Sequence, residues 1–221
     1  EYVTRHSTIM DRFDPEKRVG LIVDEWGNWY EVEPGTNPSF LYQQSSLRDA
    51  LTAGLTLNIF NLHCDRIQMA NIAQTINVLQ AVILTKDEKM ILTPTYHVFD
   101  LYKVHQDATL LPSQLDCAQY VFGEDSIPSI SASASRDKEG KIHITLCNLD
   151  PNKAQKITCE LRGFAPRSVS GRLLTADDMT AHNTFDNPER VEPAEFKDAK
   201  IEGKDLVTVL PSKSVVMLEI K

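Results

Sequence analysis

Two acidic residues, Asp24 and Glu25, directly follow the apolar run at residues 19–23, and two tryptophans, Trp26 and Trp29, come next. A carboxylate at the carboxyl end of a buried strand sits where α/β enzymes keep catalytic groups. The strand fixes its position, and the loop beyond leaves it open to substrate. Leu21, Val23 and Glu25 share one face of an extended strand, so Asp24 points the other way. Taken alone, an acid ending a strand is more often a solvated or helix-capping group than a catalytic one. The tryptophans shift that weighing. Sugars present apolar C–H faces that pack on aromatic rings, while their hydroxyls need polar partners such as Gln or Asn, so carboxylate, Trp and amide together suit a glycan site. Ordinary core packing is the competing reading of either tryptophan.

The elements that must position these groups follow from the hydrophobic period. Residues 19–23 (VGLIV) form a short, nearly continuous apolar run that suits a strand buried on both faces of a parallel sheet. A loop containing Pro34, Gly35, Asn37 and Pro38 follows. Across residues 45–63, Leu47, Leu51, Leu55, Ile59 and Leu62 recur at three- and four-residue steps, which predicts an amphipathic helix with Ser46 and Asp49 as its capping box. A second apolar stretch at 69–73, closed by Gln74, completes a βαβ unit. Residues 78–93 read as a hairpin or loop insertion around Lys86, Asp87, Glu88 and Lys89, and residues 96–104 as a helix.

Beyond residue 110 the pattern changes to strands alone, at 129–135, 141–148, 156–161, 169–174, 206–210 and 215–220, as in an antiparallel sandwich. The SASAS run at 131–135 fits a strand of small residues and suggests no function by itself. The expected class is α/β plus all-β, with one domain over residues 1–109 and a second over 110–221.

Composition narrows the function. The 221 residues carry 23 basic and 31 acidic side chains for a net charge of −8, with no Lys/Arg cluster longer than a pair. That argues against nucleic-acid and anionic-membrane partners, since both require concentrated positive charge. No apolar run approaches the ~18 residues of a membrane span. The start lacks a signal-peptide pattern and an initiator Met, which reads as a beginning left by processing or truncation, and the compartment stays open. Cys64, Cys117, Cys147 and Cys159 have no metal-site spacing and read as buried free thiols.

The runs VGLIVDEWGNWYEVEPGTNPSFLYQQSSLRDALTAGLTLNIFN, MANIAQTINVLQAVILT and TPTYHVFDLYKVH, with the later NTFDNPERVEP, resemble glycoside hydrolase family 51, the α-L-arabinofuranosidases, over essentially the whole chain. The resemblance implies that residues 1–109 are the last two βα units of a (β/α)8 barrel and that 110–221 form a jelly-roll-like sandwich. It makes Glu25 the nucleophile at the end of barrel strand seven. Trp29 would line the sugar site and Gln74 would hydrogen-bond the sugar, whereas Asn71 and His97 are expected to be structural. The implied partner is an arabinofuranosyl-containing oligo- or polysaccharide.

A retaining mechanism needs two carboxyl groups about 5 Å apart. The family's acid/base Glu follows an Asn, and no Asn-Glu dipeptide occurs in this chain. A complete barrel takes about 250 residues, so strands one to six are expected in a missing N-terminal barrel segment, in the same parent protein or another chain. The chain alone is then expected to be inactive. Neither a metal nor an organic cofactor is implied, and the parent resembles a family in which homo-oligomers are common. Two other readings stay open. One is a family-related β-1,4-glucanase. The other is a non-catalytic sandwich, structural or carbohydrate-binding, with structure favoured over binding because Phe122, Phe164, Phe185 and Phe196 are too widely spaced to form an aromatic platform.

Overall fold

A computed structural model describes all residues from Glu1 to Lys221. The first half contains helix α1 (Tyr2–Asp11), strand β1 (Leu21–Val23), helix α2 (Leu47–Leu62), strand β2 (Ile67–Ala70), the hairpin β3 (Ile83–Lys86) and β4 (Lys89–Leu92), and helix α3 (Pro94–Tyr102). The second half is almost entirely strand. It runs β5 (Thr109–Leu110), β6 (Gln119–Phe122), β7 (Asp125–Pro128), β8 (Ile130–Arg136), β9 (Ile142–Asn148), β10 (Gln155–Glu160), β11 (Val169–Leu174), β12 (Ala194–Phe196), β13 (Ala199–Glu202), β14 (Asp205–Leu210) and β15 (Ser214–Ile220).

Two antiparallel sheets face each other, one of six strands in the order β12-β11-β15-β9-β8-β5 and one of three in the order β10-β14-β13. Strand alternation builds the core between them. On β15, Val216, Leu218 and Ile220 point inward to meet Ile142, Ile144 and Leu146 of β9 and Leu206 and Leu210 of β14. The opposite face of the six-stranded sheet is covered by α2 and α3, whose Leu47, Ala50, Leu51, Val98, Leu101 and Tyr102 share a second core with Cys147, Leu174 and Val215. Every residue of β9 is therefore buried, which a half-solvated sandwich strand would not be.

The buried stripe of α2 differs from the leucine ladder expected of it. Leu47, Ala50, Leu51, Gly54 and Asn58 are buried, while Ile59 and Leu62 are exposed. Small size at the contact lets the helix approach closely. A Cβ at Gly54 would lie 2.6 Å from Cys147 Sγ, and the Tyr102 hydroxyl donates to the Gly54 carbonyl at 3.0 Å. The SASAS strand accounts for the polar part. Its alanines 132 and 134 turn to the sandwich core, and its serines turn to the helix. The Ser133 and Thr145 hydroxyls each donate to Asn58 Oδ1 at 2.8 Å, and Asn58 Nδ2 donates to Ser131 Oγ at 3.2 Å.

Three further expectations need correction. Val19 and Ile22 are 60% and 52% exposed rather than buried on both faces, because β1 pairs only with β2 and nothing covers its outer face. Strand β2 ends at Ala70, not at Gln74. The ladder runs from Leu21 N–H to the Arg66 carbonyl and closes with Asn71 N–H to the Val23 carbonyl, where β1 ends. Cys64 is exposed rather than buried, while Cys147 is buried and Cys117 and Cys159 are half-buried. The hairpin at 83–92 and the parallel β1/β2 pair match the sequence pattern.

His105 sits at the edge of the helix–sheet interface, with Nδ1 2.7 Å from Ser135 Oγ and Nε2 3.0 Å from Thr145 Oγ1. A neutral imidazole, one donor and one acceptor, satisfies both hydroxyls. Burial, reinforced by nearby His143, lowers the His105 pKa from 6.5 to about 4. The unfolded chain therefore binds this proton across a window in which the folded chain does not. The resulting stability is whole above pH 6.5 and is lost as pH falls toward 4, by up to about 3 kcal/mol. In urea titrations at stepped pH, His105→Gln should show a flatter decline of unfolding free energy over that window than the wild-type chain, and parallel slopes would refute this.

Candidate functional site

The parallel pairing of β1 and β2 brings their carboxyl ends together. Glu25 comes two residues after Val23 and Gln74 four after Ala70, and Val23 and Ala70 are partners in the ladder. Asn71 Nδ2 donates to Asp24 Oδ1 at 2.9 Å, tying the two ends to one another. Asp24 is thus engaged across the strand pair, while the Glu25 side chain is exposed at the same sheet edge. Gln74 is exposed too, on backbone with φ of 53°, a left-handed conformation that ends extended structure. His97, expected to be structural, lies within α3, half-buried, where burial lowers its pKa.

The two tryptophans separate sharply. Trp26 is packed edge-on to Phe60 at 5.5 Å and stacked with Phe99 at 6.1 Å, bridging α2 and α3. Its buried indole N–H has no partner. Trp29 is 66% exposed. A large apolar ring left in water is available for contact, whereas Trp26 is consumed by the core.

Residues that the sequence reading passed over hold this loop. The Asn28 side chain donates to Asp49 Oδ1 and to Thr52 Oγ1, each at 3.0 Å, and the Asn28 carbonyl accepts from Gln43 Nε2 at 3.0 Å and from Gln80 Nε2. Gln43 Oε1 in turn accepts from Tyr30 N–H at 2.8 Å. Trp29 thus lies between two clamped neighbours. Gly27 is required here because its φ is +121° and a Cβ would stand 2.6 Å from the Gln80 side chain. The Arg48 guanidinium lies 3.6 Å from the centre of the Tyr30 ring.

Asp49 joins loop and helix. Its other oxygen accepts from Ser46 N–H at 2.8 Å, so the capping box expected from Ser46 and Asp49 also anchors the loop. Partners this far apart along the chain leave no local pattern to detect; a glycine between two tryptophans, Gly27, is the one local feature that could have drawn attention to the loop. Gln43→Ala should speed hydrogen exchange of the Tyr30 amide by about tenfold or more while amides in the middle of α2 keep their protection. Unchanged Tyr30 exchange would show that the clamp does not hold the loop.

A family model described as the α-L-arabinofuranosidase C-terminal domain matches residues 24–214. An intracellular exo-α-L-arabinofuranosidase of Bacteroides ovatus is 48% identical over 222 residues, covering 100% of this chain and 43% of that protein. An exo-α-(1→6)-L-arabinofuranosidase of Bifidobacterium longum is 28% identical over 196 residues, 81% of this chain and 37% of its own length. The crystal structure of a GH51 arabinofuranosidase from Xanthomonas axonopodis pv. citri superposes with a TM-score of 0.97 at 50% identity, over 99% of this chain and 44% of that one. An arabinose complex of α-L-arabinofuranosidase from Thermotoga maritima shares the fold, with a TM-score of 0.79 at 24% identity over 93% of this chain and 44% of its own. The chain spans less than half the length of these relatives. With the specific motifs around Glu25 and Gln74 inside the matched segment, the chain belongs to the α-L-arabinofuranosidase C-terminal domain family.

Proposed function

We propose that this chain supplies the nucleophile half of a retaining exo-α-L-arabinofuranosidase. The observation that carries the reading is that Glu25 and Gln74 follow the paired carboxyl ends of two parallel strands, with an exposed Trp29 held between clamped neighbours in the loop after Glu25. Glu25, as carboxylate, attacks the anomeric carbon and forms a covalent glycosyl intermediate as the leaving oxygen departs. Gln74 hydrogen-bonds a sugar hydroxyl, and Trp29 packs on the C–H face of the glycan. Protonation of the leaving oxygen and later activation of water fall to a second carboxyl group outside these residues.

On this reading β1 and β2 are the last two strands of a (β/α)8 barrel within residues 1–109, and residues 110–221 are a jelly-roll-like sandwich. The exposed apolar side chains Val19, Ile22 and Met69 support it, since two strands cannot close a barrel and their bare faces need neighbours. The core shared by α2, α3 and the six-stranded sheet favours an architectural sandwich that braces the barrel helices over an independent binding module. The substrate class is arabinan- or arabinoxylan-type glycan with terminal arabinofuranosyl groups.

The 221-residue chain should release no arabinose from an aryl arabinofuranoside. In the intact parent protein, Glu25→Gln should lower kcat by about three orders of magnitude or more, with the fold unchanged by circular dichroism. Turnover by the chain alone, or near-normal kcat in the parent variant, would overturn the assignment. Faster hydrolysis of a β-1,4-glucan than of the arabinofuranoside by the parent would move it to the glucanase reading.

A further inference from the structure

We propose that an aromatic cleft formed by the loop after β1, the segment after β2 and Phe185 holds a second sugar ring of the same neutral glycan, away from the bond that is cleaved. The cleft has a volume of about 280 Å³, just below the usual range of ligand pockets, so it has room for no more than a single small ring. Three aromatic residues, Phe40, Tyr42 and Phe185, line it. Phe40 is 65% exposed at the end of a single 3-10 turn, Pro38–Phe40, whose Asn37 side chain accepts from Ser39 N–H at 3.0 Å. That turn holds the ring outward.

Tyr42 and Phe185 pack against a small core of Ala81, Leu84 and Ile91, and Leu84 also lines the cleft. Phe185 comes from the NTFDNPERVEP motif, to which the proposed chemistry assigns no task. The motif is fastened to the hairpin, since Asn183 Nδ2 donates to the Leu92 carbonyl at 2.9 Å and Asn183 Oδ1 accepts from Val191 N–H at 2.7 Å. The polar part of the lining is Asn77, Thr85 and Thr36, with Lys86 as its one charged group. Asn77 Nδ2 donates to Thr85 Oγ1 and Thr85 N–H donates to Asn77 Oδ1, each at 2.8 Å.

Aromatic faces flanked by an amide and hydroxyls match the alternating C–H faces and hydroxyls of a sugar, and the absence of a carboxylate or a cluster of cations disfavours a charged ligand. Connectivity points the same way. Apart from Phe185, the walls are built from the segments that follow β1 and β2, the same strands that Glu25 and Gln74 follow in the chain. The occupant is a backbone or neighbouring unit of the glycan whose terminal residue reaches Glu25. The glycan identity rests on the proposed function above.

Binding can be read on the chain itself without hydrolysis, by two-dimensional amide NMR with arabinotriose and, separately, xylotriose as probes. Shifts clustered at Phe40, Asn77, Thr85 and Phe185, with affinity weakened about fivefold or more by Phe40→Ala, are expected for at least one probe. The responding probe distinguishes an arabinan backbone from a xylan one. Phe185→Leu, which keeps apolar packing on the small core, should weaken binding with the hairpin amides still dispersed. No shifts, shifts confined to Trp29 and Gln74, or affinity indifferent to Phe40→Ala would overturn the proposal. So would cleft shifts that appear on concentrating the protein without sugar, which mark contact between two copies. Failure of the Glu25 assignment appears instead as activity of the parent Glu25→Gln variant, so the two readings fail separately.

Discussion

Helix α2 can lie against the six-stranded sheet because position 54 has no side chain. Cys147 Sγ occupies the space a Cβ would need, and the Tyr102 hydroxyl reaches the backbone carbonyl left accessible there. A glycine inside a helix costs about 1 kcal/mol relative to alanine, and here the close approach offsets it. The same approach brings Asn58 within reach of Ser131, Ser133 and Thr145, so a polar group buried between layers is satisfied rather than stranded. Tyr102 and Cys147 are both held protonated, their pKa values pushed up by burial, that of Cys147 to about 12. Neither carries a charge into this interface at neutral pH.

With α2 fixed on the sheet, its N-terminus becomes a fixed point for the loop after β1. Asp49 divides its two oxygens between the helix cap and Asn28, so the position of the Trp29 segment is referred to the sandwich through one helix. The other end of the strand pair has its own anchor. The buried Arg66 guanidinium donates to Asp14 Oδ2 and to the Val19 carbonyl, each at 2.8 Å, and pairs with Asp11. These contacts tie the end of α1 and the entry to β1 onto the start of β2. The Asp14 carboxyl stays below the usual carboxylate range because it accepts from Val19 N–H and Arg66. The loop is thus held at Asn28 and Tyr30 and open to solvent at Trp29.

Elements with a local signature were readable in advance. The hairpin around Lys86 to Lys89, the capping box of Ser46 and Asp49, and the period-two runs of β8, β9, β10, β11, β14 and β15 are set by neighbours a few residues apart. The short strands β5, β6, β7, β12 and β13 were missed, because pairs such as Phe196 with Gly171 owe their strand character to the partner. Helix α1 was missed as well. None of its residues is buried, so no apolar stripe announces it.

Motif and residue type by themselves determined that Glu25 follows the first strand of a parallel pair, that an amide-bearing segment follows the second, and that the likeness to the family is carried by those segments. That information is local in the chain, a carboxylate with its immediate neighbours. Which tryptophan is free and which is spent was decided only by the tertiary structure, since Phe60 and Phe99 claim Trp26 from two separate helices. The buried face of α2 was likewise decided by the sheet. A leucine ladder predicts burial from hydrophobicity alone, whereas contact distance and hydrogen-bond partners selected Gly54 and Asn58. Burial is a property of surfaces that meet, and one of the two surfaces is always elsewhere in the chain.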